Sequence, residues 1–151
     1  MGRRALLCMA FACGLVAFAA SAVAATRTSV TFTDTVVSTG APERVWIGDN
    51  QLHVRGQPQT TAVAGDLTGT LELIANVNLD LTTGTGELFG KFTLTTSSVT
   101  WAGSFEGKIT SAGVSGTFVG QGDDGTKIKG SFTSIAANAF LNEAVILDPH
   151  G

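Results

Sequence analysis

Asp34 is the residue through which this chain could do acid–base chemistry. It stands in "SVTFTDTVV" (29–37) and shares a parity with Val30, Phe32 and Val36. A regular strand would turn its carboxylate into an apolar interior, where burial raises the pKa and suits the group to act as a general acid or base. A bulge at the Val36–Val37 pair, or a place at a barrel rim, would leave it solvated instead. Asp34 is therefore a weak catalytic candidate, and the other carboxylates offer less. Glu72, Glu87 and Glu106 alternate outward and do not form an acid–base pair.

The remaining motifs read as structure. His53 and His150 are the only histidines, one on the polar parity of "LHVRG" and one next to the C-terminus. Their spacing suggests neither a zinc site nor a histidine-assisted nucleophile. "GVSGT" (113–117) breaks the G-x-S-x-G pattern at its last position. "GQGDDG" (120–125) fits G-x-G-x-x-G, but the dinucleotide fingerprint needs a helix after it, and "TKIKGSF" is a strand. A hairpin turn is expected there. Asp123 and Asp124 could meet Asp49 or Asp66 around calcium, though a hydrated turn suits them better. No metal and no cofactor is expected.

The elements that must position these residues are strands. Alternation runs along almost the whole chain, and helical periodicity is missing until the last segment. Strands are expected at 29–37, briefly at 45–47, and at "QLHVRG", with a loop around Pro58. "DLTGTLELIANVNLDL" (66–81) alternates for so long that it should bend or break in two. A meander follows, with tight turns rich in Gly, Asp and Ser at "TTGTG", "TSS", "SAG" and "DDG". The closing "IAANAFLNEAVILDPHG" fits either a short helix or a last strand.

Glycines and rings share one parity of that meander. Phe92, Leu94, Trp101, Phe105, Ile109, Val114, Phe118, Ile128 and Phe132 point inward. Between them, on the same face, stand Gly86, Gly90, Gly103, Gly107, Gly116, Gly120, Gly122 and Gly130. A glycine stripe facing water would only weaken the strands. An inward one lets the sheet coil tightly and lets a ring lie over bare backbone on its neighbour. The expected fold is thus all-β, a small antiparallel barrel of about eight strands.

An export leader precedes this domain. Arg3 and Arg4, the apolar run 5–20 and the small residues "SAVAA" form a secretory signal cut after Ala24 or Ala25. Residues 26–151 would be one secreted or periplasmic domain. Both cysteines lie in the leader, so the mature chain can form no disulfide. It keeps seven of the nine basic residues and all twelve acidic ones, a net charge of −5. That disfavours nucleic acid as a partner. No membrane span is expected after processing, and a charged outer face without aromatic girdles argues against an outer-membrane barrel.

The G-x-F-x-G hairpins between residues 65 and 133 resemble uncharacterised secreted bacterial proteins, themselves similar to the allene oxide cyclase and dirigent barrel superfamily. The resemblance implies an eight-stranded antiparallel barrel with an apolar cavity, often trimeric. It carries over no catalytic residue, because the plant cyclase's signature stretch is absent. The expected function is binding of a small apolar ligand, with Phe32, Phe92, Trp101, Phe105, Phe118 and Phe132 lining the lumen. If those rings fill the lumen, the protein is a scaffold interacting through outward Ile74, Phe89, Val119 and Ile135. An isomerase or cyclase using Asp34 is the third expectation. The sequence leaves hollow and packed equally open.

Overall fold

The computed structural model describes residues 24–151. All but the last two positions of the expected leader lie outside the described residues. Among the described residues nine strands form, and no helix: β1 (Thr26–Thr39), β2 (Arg44–Gly48), β3 (Gln51–Gly65), β4 (Gly69–Asp80), β5 (Gly86–Thr96), β6 (Thr100–Thr110), β7 (Gly113–Gly122), β8 (Lys127–Ala136) and β9 (Ala139–Asp148). Their order in the sheet is β1-β9-β8-β7-β6-β5-β4-β3-β2, and pairing of β1 with β3 closes eight of them into an antiparallel barrel. β2 is an extra strand outside the ring.

The glycine ladder works by direct opposition. Gly90 faces Phe105 and Gly103 faces Phe92 between β5 and β6. Gly122 faces Trp101 between β6 and β7. Gly116 faces Phe132 and Gly130 faces Phe118 between β7 and β8. A Cβ on Gly116 would stand 2.5 Å from Phe132 Cζ, one on Gly120 2.8 Å from Phe92 Cζ, and one on Gly90 2.9 Å from Phe105 Cζ. No side chain but hydrogen fits at those spacings. The rings then meet edge to face, Phe92 with Phe118 at 5.8 Å and Phe105 with Phe132 at 6.3 Å between centroids. Such geometry adds about 0.5–1.5 kcal/mol per pair beyond the area buried.

One expectation needs correction, and two that the sequence left open are resolved. β3 runs unbroken through Pro58, where a loop was expected. Pro58 pairs with Ile74 of β4, and its carbonyl accepts from Gly40 N–H on the opposite side. Within a strand the N–H and C=O of one residue point to the same neighbour, so the missing N–H falls in the gap between β1 and β2 and breaks no bond to β4. β4, expected to bend or break, is one unbroken strand; the irregularity lies across from it, in a bulge between Val54 and Gln57 where Gly56 takes φ +64°. The closing segment is a strand, β9, which pairs with β1 from Thr26–Asp148 to Thr35–Ala139.

Beyond the rim, β2, the first half of β3 and the end of β4 form a flap. β2 follows β1 along the same edge of β3, with Thr39 opposite Gln59 and Arg44 opposite Arg55. A two-residue turn joins β2 to β3, Asp49 at φ +50° and Asn50 at φ +60°, the left-handed pair of a type I′ hairpin. One face of the flap carries Trp46, stacked on His53 at 4.7 Å, with the guanidinium of Arg44 4.5 Å above its ring. The other face carries Val45 and Ile47, which remain largely exposed.

Candidate binding site in the barrel lumen

The inward side chains leave an apolar cavity of about 80 Å³. Phe32, Phe92, Phe105, Phe118 and Phe132 border it, joined by Phe140 from β9 and by leucines of β4 and β5. Three polar side chains interrupt this lining: Asp34, Gln59 and Asn142.

Trp101 stands elsewhere. It is buried, but it packs near the β7–β8 turn, and its indole N–H donates to Thr126 Oγ1 at 2.9 Å. Thr126 in turn donates its hydroxyl to Asp124 Oδ1 at 2.7 Å. That bond, followed by the bond from Thr126 N–H, holds the fully exposed Asp124 carboxyl below its ordinary pKa. "GQGDDG" is accordingly a hairpin turn between two strands. Asp123 caps Thr100 N–H at 3.1 Å. Among the described residues, no group of three His, Cys, Asp or Glu side chains gathers as a metal site would require.

Asp34 lies inside the barrel. β1 does bulge near Val36, between Val36 and Ser38, but Asp34 precedes the irregularity and keeps the inward parity. It is only 4% exposed, as is Asn142, whose amide N–H donates to Asp34 Oδ2 at 2.7 Å. Burial raises the Asp34 pKa; the bond from Asn142 opposes the rise, and the Thr61 hydroxyl opposes it less. Thr61 leans on the carboxyl short of full hydrogen-bond geometry, and its oxygen has no partner among the described residues. Asp34 is thus biased towards its neutral acid. In that form a carboxyl both donates and accepts, and one hydrogen bond leaves capacity for a ligand's polar group.

Asn142 carries no signal in the sequence while its segment is ambiguous between helix and strand. Read as a strand, "AFLNEAVIL" puts Asn142 on the parity of Phe140 and Ala144, facing the lumen. Gln59 is hidden for the related reason that a loop was expected around Pro58. His53 lies on the outer face, its Nδ1 2.9 Å from Asn78 Oδ1. Ser115 of "GVSGT" is exposed on β7, opposite Lys108 and Thr133. Neither approaches Asp34 along the sheet. No helix among the described residues is long and apolar enough to cross a membrane. No protein-family model matches the chain, and no curated protein matches it.

Proposed function

We infer that the barrel binds a compact, mainly apolar molecule with one hydrogen-bonding group. The observation that carries this reading is the apolar lumen cavity with the Asp34–Asn142 pair in its wall. Its volume sets the scale. At about 80 Å³ it is smaller than the roughly 150 Å³ apolar cavity that accepts benzene, and well below the ~300–1,000 Å³ of drug-sized sites. A short-chain compound of a few heavy atoms is the matching size class; single rings, fatty acids and terpenoids require the phenylalanines to move. Export through the Arg3–Ala25 leader and the resemblance to secreted cyclase and dirigent-like barrels belong to the same proposal, and both suit a binder working outside the cytoplasm.

A second reading rests on the same small volume. Rings that nearly fill the lumen make a rigid scaffold, whose contacts would run through Ile74, Val119 and Ile135, 48%, 54% and 58% exposed. A cyclase using Asp34 as the acid is the third.

Thermal melts with a panel of small ketones, alcohols and aromatic rings separate these readings. A ligand specific to the folded barrel stabilises it by about 2.7 kcal/mol at a hundredfold excess over its dissociation constant. Gly120→Val, which forces Phe92 into the cavity, should remove the shift. Turnover lost in Asp34→Asn with binding kept would select the cyclase. No shift from any compound leaves the scaffold.

A further inference from the structure

We propose that β2 is a pairing edge for a second copy of this chain, joining two flaps into one continuous antiparallel sheet. The surface lies outside the lumen, and the inference stands with or without a ligand there.

The hairpin turn dictates which groups are free. In a two-residue hairpin the residues flanking the turn exchange hydrogen bonds, and bonded pairs then alternate along the strands. Gly48–Gln51, Trp46–His53 and Arg44–Arg55 are therefore the bonded pairs of β2 and β3. The N–H and C=O groups of Val45 and Ile47 point the other way. β2 pairs only with β3, so these four groups have no backbone partner among the described residues. Their side chains are 52% and 67% exposed. Edge strands are normally blunted by lysine, proline or a bulge, and "RVWIG" has none of these at its centre.

The edge is self-complementary in one register. With the two Trp46 residues on a twofold axis, Val45 stands opposite the partner's Ile47, and all four free groups of each copy find partners. Arg44 then faces the partner's Gly48, so no guanidinium opposes another. A slip of two residues in either direction sets Ile47 opposite the partner's Glu43, or Val45 opposite the partner's Asp49 in the turn, and forfeits bonds. A five-residue strand pair covers less than the ~1,000 Å² of a stable interface, so the association is weak and depends on concentration.

Sedimentation and amide exchange on the protein test this together, from about 10 µM to about 1 mM, the affinity range of small interfaces. The expected result is a monomer–dimer equilibrium. The Val45 and Ile47 amides should exchange about tenfold more slowly at the high end, while the Trp46 amide, bonded within the hairpin, is protected throughout. Ile47→Lys, at an exposed position, should return the protein to monomer with an unchanged melt. A protein that stays monomeric across the range overturns the proposal. So does an oligomer, trimer or otherwise, that leaves the Val45 and Ile47 amides unprotected.

Discussion

Asn142 donates to Asp34 across the seam where the last strand meets the first, 108 residues apart in the chain and 2.7 Å apart in the barrel. The bond fixes one oxygen of a carboxyl that burial pushes above its ordinary pKa of 3.8. Below about pH 3.8 the folded and unfolded states both hold the proton. As pH rises past that value the unfolded chain releases it first, so stability should fall until pH passes the raised folded pKa. Urea unfolding of the protein beside Asp34→Asn, stepped from acid to neutral pH, measures this. The stability difference should shift against the native protein as pH rises; a shift in its favour would mean a depressed pKa.

Gly107 and Ser104 lie on opposite faces of β6 and separate lumen from surface. A Cβ on Gly107 would stand 2.5 Å from Ser115 O and 2.9 Å from Phe132 Cζ. Gly107→Val should therefore cost about 1–3 kcal/mol through overpacking. Ser104→Val, facing outward, should change little. Equal losses in denaturant melts would refute the inward placement of the ladder.

Thr126→Val deletes the acceptor of the buried Trp101 N–H. An orphaned buried donor costs about 1–3 kcal/mol. In a Trp46→Phe background, Trp101 emission should shift as its polar partner disappears, and the loss of stability should accompany the shift.

Phe132 is 8% exposed and meets both Phe105 and Phe140 edge to face. Phe132→Ala should cost about 3–5 kcal/mol. The cavity it leaves adjoins the existing one, so benzene should recover part of the lost melting temperature in this variant more than in the native protein.

The closed ring was legible because alternation, tight turns and the glycine–ring parity all repeat through 86–132 and reinforce one another. What surrounds β3 was not. Proline argues locally for a loop, and only knowledge of the gap between β1 and β2 shows that its missing N–H harms nothing. Gly56 looks like any turn glycine until the bulge opposite Ala75 and Val77 is known. Asp34 was legible as a candidate by parity alone, but its hydrogen-bond partner Asn142 arrives from a segment whose local pattern fits helix and strand alike.

The seam also sets an order of events. β1 pairs with β3 on one side and β9 on the other, so the ring cannot shut until the final strand returns to the first. The Asp34–Asn142 bond cannot form before β9 reaches β1, and a chain still missing β9 has no closed lumen. Closure of so long a loop belongs with folding over about milliseconds to seconds. Burial of Asp34 should therefore complete in the slowest phase of refolding, after most of the strand signal has already returned.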